Sequence, residues 1–262
     1  MKKRWFISVI MLSVLYFFAL AFQSQTAGDI LSPILTLLSA IVVYRFYVKQ
    51  ETEKASKLSG FFYALAIFSW FLCDLAWGVA SFAFHCHPEN ILWINYSYSL
   101  TNVFLLLSIL LEGFYRFKRW NLMQVAMDTV MVAMNIIVLA WLFIFQKDIN
   151  LLRILLDPIS LTSIITSVVI YAWINIWFFS GKKSKEQIYV KIAILGELVF
   201  VVTDLIYYYI IIYGTYEPNS FLDGGYVLAF LIMAVSGMLK SKSKEEEPDW
   251  LDRQQEGVAR FN

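Results

Sequence analysis

Two aspartates, Asp74 and Asp204, lie 130 positions apart, each inside an apolar stretch long enough to cross a bilayer. At the same offset Asp74-Leu75 recurs as Asp204-Leu205, Pro88 as Pro218, Leu92 as Leu222 and Tyr96 as Tyr226, so the chain reads as an internal repeat with a carboxyl group in each copy. A charge at membrane depth costs on the order of 3 kcal/mol on insertion scales, and its presence twice at matching sites asks for a reason. Around Asp204, Glu197 falls two turns earlier on nearly the same helical face, and Tyr207 and Tyr208 follow one turn later. Around Asp74, Trp70 and Trp77 stand a turn to either side, and Asn95, Tyr96, Tyr98 and Asn102 follow on the next apolar segment. Asp223-Gly224-Gly225 opens the last apolar segment, where an Asp suits a helix N-terminus and the glycines permit close packing. No Lys or Arg lies at the depth of Asp74, Asp204 and Glu197. These carboxyls are therefore protonated, hydrogen-bonded to Tyr, Trp and Asn groups, or neutralised by a bound cation, amine or proton. The candidate ligand-binding set is Asp204, Tyr207, Tyr208, Glu197, Asp223, Tyr226, Asp74, Trp77 and Tyr96. A plainer role, clamping helices together by interhelical hydrogen bonds worth about 0.6 kcal/mol each, competes with it.

Other chemistry is sparse. His85-Cys86-His87, with Glu89 nearby, is the only cluster of metal-ligand types, but adjacent residues rarely converge on one ion, and a solvated turn before Pro88 is the simpler reading. Asp128 and Asn135 share a helical face near one end of their segment, where Asp128 reaches interface water or Arg119. Cys73 and Cys86 are separated by mostly helical chain, too far apart for a disulfide. No nucleophile elbow, zinc-protease signature or phosphate-cradling glycine loop occurs, so neither catalysis, a metal nor a cofactor is expected.

The elements that must hold these groups follow from composition. With 60% apolar, 18% aromatic and 16% charged residues, the chain reads as an all-α, polytopic membrane helix bundle. Eight spans are expected near Trp5–Phe22, Ile30–Phe46, Gly60–Phe84, Ile91–Tyr115, Leu122–Phe145, Pro158–Phe179, Ile188–Tyr213 and Phe221–Leu239. Nineteen of the 21 basic residues fall on one side of these spans, with only Lys147 and Arg153 opposite, which predicts both termini in the cytoplasm. The net charge of +1 then reflects topology and calls for no nucleic-acid partner. Lys2-Lys3-Arg4 ahead of an apolar run also fits a signal peptide, although the run is long and lacks a clear small-x-small cleavage site. The repeat, about 60–115 against 188–239, is extended weakly by Ser32-Pro33-Ile34 against Asp157-Pro158-Ile159. It predicts two similar four-helix halves related by an axis along the membrane normal. Residues 1–240 form the membrane domain, and 241–262 a charged cytoplasmic tail, read as a helical extension of the last span that frays.

The stretch Thr203-Asp204-Leu205, leading through Gly214-Thr215-Tyr216-Glu217-Pro218-Asn219-Ser220 to Asp223 and Tyr226, together with Met127-Asp128-Thr129 leading to Trp141, resembles a known membrane module. It is similar to the multi-span N-terminal sensory region of bacterial cyclic-di-GMP signalling proteins, the diguanylate cyclases and phosphodiesterases with GGDEF or EAL output domains. Asp204, Tyr207, Pro218, Ser220, Asp223 and Tyr226 fill that family's D-L-x-Y and P-x-S-x-x-D-x-x-Y positions, and the likeness covers roughly Gly60 to Lys240. The first copy departs from the pattern: Trp93 stands opposite Asp223, Asn90 opposite Ser220, and Leu161 where an Asp is expected three residues after Pro158. No GGDEF or EAL motif follows Lys240, and 22 residues are too few for such a domain.

The resemblance implies a sensory or signal-relay module of the bacterial inner membrane, without its own output, acting through a small ligand or membrane state read between its helices. Its expected partners are the lipid bilayer, an unidentified small ligand, and a cytoplasmic signalling protein or a second copy of the chain. A small transporter or channel using the midplane carboxylates, or a structural subunit of a membrane complex, are the alternatives.

Overall fold

The computed structural model describes residues 2–85, 88, 91–116, 130, 134, 162, 164–171, 174, 188–213 and 216–245, and all regular structure among them is helical. Six α-helices are α1 (Lys2–Ala21), α2 (Gln25–Val43), α3 (Lys54–Phe84), α4 (Leu92–Arg116), α5 (Ile188–Tyr213) and α6 (Phe221–Glu245). α2 runs on without a break into a π-helical turn, Tyr44–Lys49, and residues 164–171 add a further helical stretch. Most of the expected spans at Leu122–Phe145 and Pro158–Phe179, and Cys86, His87 and Glu89, lie outside the described residues.

Among the described residues three helices, Gln25–Lys49, Ser56–Phe84 and Phe221–Ser241, are long and apolar enough to cross a membrane, and Ile7–Ala21 and Tyr96–Glu112 are shorter apolar helices. Large apolar side chains such as Met11, Val14, Leu72, Leu75, Leu195, Ile206 and Leu228 point outward along these rods. In water each would forfeit about 25 cal/mol per Å² of exposed apolar surface, whereas lipid tails solvate them without loss. The chain has the build of a membrane protein.

Several helices extend beyond their apolar runs. α2 starts at Gln25, because Ser24 takes the extended conformation of an N-cap and the following Gln-Thr-Ala-Gly-Asp can all wind into a helix. α3 starts at Lys54 rather than Gly60, since the polar turn Lys-Ala-Ser-Lys-Leu-Ser carries no helix breaker. α6 continues through the charged residues to Glu245, as a helical extension of the last span.

α3 packs along α4 and α5 along α6, and α2 joins the two pairs by contacting both α3 and α6. At the centre Trp70 of α3 meets Phe200 of α5 and Tyr226 and Phe230 of α6, with ring centroids 5.6, 4.3 and 5.5 Å apart. Small residues allow this approach. A Cβ added to Gly225 of α6 would stand 2.5 Å from Thr203 Oγ1 and 2.8 Å from its Cγ2, and Thr203 is itself held by donating to the Val199 carbonyl at 2.7 Å. Gly225→Ala is expected to cost about 2 kcal/mol in a detergent or bicelle unfolding titration. Adding Thr203→Ala should recover most of that loss; no recovery would mean that the crossing is not limited by this contact.

Candidate ligand cavity

Asp74 and Asp204 line one cavity of about 450 Å³, closed around by α1, α2, α3, α4, α5, α6 and the 216–220 loop. Asp74 is fixed by α2 on one side and α4 on the other: Ser32 Oγ donates to its Oδ2 at 2.6 Å and Tyr98 Oη to its Oδ1 at 2.9 Å. Asp204 is dressed in the same manner. Ser167 Oγ donates to its Oδ2 at 2.5 Å and Tyr226 Oη to its Oδ1 at 3.1 Å, while Asn102 Nδ2 adds a third donor at 3.0 Å to Oδ2. Each carboxyl thus takes a serine from an element earlier in the chain and a tyrosine from the next helix. The residue one turn before each Asp, Trp70 or Phe200, belongs to the central aromatic stack.

Two further acidic residues close the end nearest the 216–220 loop. Asp223 accepts from Tyr216 Oη at 2.7 Å and from the Ser220 backbone N–H at 3.2 Å, so it also caps the first turn of α6. Burial and the neighbouring Asp223 push the Tyr216 phenol well above its ordinary value, so Tyr216 is the donor in that pair. Asp29, a cavity residue missed in the sequence, accepts from Asn219 Nδ2 at 2.8 Å. Asn219 holds a left-handed backbone, φ 58°, and lies so close to Gly28 that any side chain there would displace it. Nearby, Pro33 has no N–H to donate to the Asp29 carbonyl, four residues earlier in α2. Polar or helix-breaking residues inside an apolar run were the available signal for Asp29 and Ser32; Ser167 sits in a segment where the sequence flagged nothing.

Of the nine residues expected to form the site, Asp74, Trp77, Asp204, Tyr207, Tyr208, Asp223 and Tyr226 line this cavity. Glu197 does not. It lines a second, much smaller cavity of about 60 Å³ with Tyr47, Tyr63, Glu112 and Tyr189, because two helical turns separate it from Asp204 by about 10 Å along the axis. Tyr96 does not line it either. It is 49% exposed, and Tyr98, two residues and about 200° further round α4, takes the part that Tyr226 plays in the second half. Among the described residues no group of three His, Cys, Asp or Glu side chains is placed to hold a metal ion.

At the other end of the bundle the C-terminal part of α6 is tied to the segment after α2. Lys240 Nζ pairs with Glu51 Oε2 at 2.7 Å, with both side chains under 10% exposed (6% and 8%), and lies 4.5 Å from the centre of the Tyr47 ring. Ser236 Oγ spends its proton on the Met233 carbonyl at 2.6 Å, so Tyr47 Oη donates to Ser236 Oγ at 3.0 Å. The fifth and sixth turns of α6 are thereby joined to the π-helical turn by a hydrogen bond and a cation–π contact, and to Glu51 just beyond it by an ion pair.

Comparisons with protein-family models, with curated proteins and with solved structures find no match.

Proposed function

We propose that the chain is a multi-pass membrane module that senses a small ligand or a membrane state between its helices and relays it through α6. In this reading it resembles the input region of cyclic-di-GMP signalling proteins. The observation that carries it is the convergence of Asp74 and Asp204, 130 residues apart, on one cavity with aromatic walls and a few polar groups, the usual design of a small-ligand site. The matched dressing of the two carboxyls by serine and tyrosine supports two similar halves, and the apolar runs with their one-sided Lys and Arg residues support eight spans and cytoplasmic termini in a bacterial inner membrane. The relay to a cytoplasmic partner, or to a second copy of the chain, follows from α6 having one end at the cavity and the other at the Lys240–Glu51 pair.

The test uses the full chain in lipid nanodiscs, screened for thermal stabilisation by a panel of small metabolites. Asp74→Asn and Asp204→Asn are each expected to raise the concentration for half-maximal stabilisation about tenfold, or 1.4 kcal/mol. Unchanged midpoints in both variants would refute the assignment of the site. Uptake into proteoliposomes that both substitutions abolish would replace the sensor reading with a transporter.

A further inference from the structure

The chemical class of the ligand can be read from what the cavity wall leaves unanswered, and the inference rests on the reading of this cavity as a ligand site. Four carboxyl groups, Asp29, Asp74, Asp204 and Asp223, face it, while no Lys, Arg or His is among the described residues that line it. Such a wall in low-dielectric surroundings favours a cationic occupant.

The independent sign is Asn102. Its side chain is 2% exposed and lines the cavity, its Nδ2 is committed to Asp204 Oδ2, and its buried Oδ1 has no hydrogen-bond partner. Turning the amide over would set Oδ1 against a carboxylate oxygen, so the orientation is fixed by its neighbour. A buried amide oxygen left without a donor is unfavourable, and the group it calls for carries an N–H or O–H. Water would supply the donor but not the positive charge. A quaternary ammonium would supply the charge but no donor, and among the described residues no three His, Cys, Asp or Glu side chains are grouped to hold a metal ion. Trp77 and Tyr207 on the same wall offer aromatic surface to a cation or to an apolar body.

We propose that the cavity binds a protonated primary or secondary amine with an apolar body, its N–H groups shared between Asn102 Oδ1 and the neighbouring carboxyls.

The experiment takes the full chain in nanodiscs and follows its tryptophan fluorescence, confirmed by calorimetry, with phenethylamine, butylamine and 1,4-diaminobutane. Each is compared with its alcohol, its carboxylic acid and its trimethylammonium counterpart. At least one amine is expected to bind tenfold or more tightly than all three counterparts. Asn102→Leu should erase the preference over the trimethylammonium compound, and Asp204→Asn should weaken every cation about tenfold. Asp29→Asn, at the half-buried rim, is the second variant in case Asn102→Leu or Asp204→Asn does not fold, and should weaken the amine threefold or more. An alcohol or acid that binds as tightly as its amine overturns the amine while leaving the cavity a ligand site. Failure of every probe, charged or neutral, overturns both.

Discussion

Asp204→Ala is expected to lower the unfolding free energy by about 3 kcal/mol, the largest single loss in the cavity wall. The carboxyl is 5% exposed and receives three side-chain donors from three separate elements: Ser167, Asn102 of α4 and Tyr226 of α6. Alanine removes the common acceptor and leaves those donors facing a void. Hydrogen bonds between membrane helices average only about 0.6 kcal/mol, because the separated helices find other partners, which alone would give about 2 kcal/mol. The buried donors left unsatisfied add to that sum. Asp204→Asn, which still presents a carbonyl oxygen to part of the set, should cost about 1 kcal/mol. Asp74→Ala should fall between the two, since Asp74 gathers two donors and is only half-buried. Reversible unfolding in mixed micelles measures all three, and a loss below 1 kcal/mol for Asp204→Ala would mean that water replaces the carboxyl without strain.

Glu51→Ala is expected to cost a similar amount, about 3 kcal/mol, for a different reason. The substitution removes the carboxylate partner of the Lys240 ammonium, whose side chain is 6% exposed, and breaking one side of a buried pair costs roughly 3–5 kcal/mol. The low end applies, because Tyr47 still offers its ring to the cation at 4.5 Å. Replacing both partners, Glu51→Leu with Lys240→Met, should restore most of the stability, as an apolar pair avoids the desolvation of two charges. If the double variant were no better than Glu51→Ala alone, the loss would instead reflect the backbone amides of Thr52 and Glu53 that Glu51 Oε1 also accepts.

Among the described residues the helices were legible in the sequence where an apolar run is bounded by polar residues, as was the helical extension past Ser241, whereas the start of α3 was not, because the polar turn Lys54–Ser59 winds as readily as the run beside it. The pairing of Asp74 with Asp204 was legible as matching surroundings at one offset. The position of Tyr96 was not, because transferring the offset of Tyr226 from Asp204 ignores the connection between helices. In α4 it is Tyr98, and not Tyr96, that turns inward. Glu197 shows the complementary error: sharing a helical face with Asp204 says nothing about depth, and 1.5 Å per residue carried it into a separate cavity. Asn102 was visible as a polar residue among apolar neighbours, but its two atoms acquire distinct roles only when Asp204 arrives from another helix.

α2 with its π-helical turn and α6 each hold one end at the cavity and one at the Glu51–Lys240 pair. Asp223 and Lys240 are separated by about 26 Å of uninterrupted helix. Asp29 and Tyr47 mark the corresponding points on the other rod. Two stiff struts cross-linked at both ends form a parallelogram: widening the gap between them at the cavity tilts them, and the tilt must be absorbed at the far links. The π-helical turn Tyr44–Lys49 and the hydrogen bond missing at Pro33 are the two places where that frame departs from regular α-helix, and a change of angle would be taken up there first.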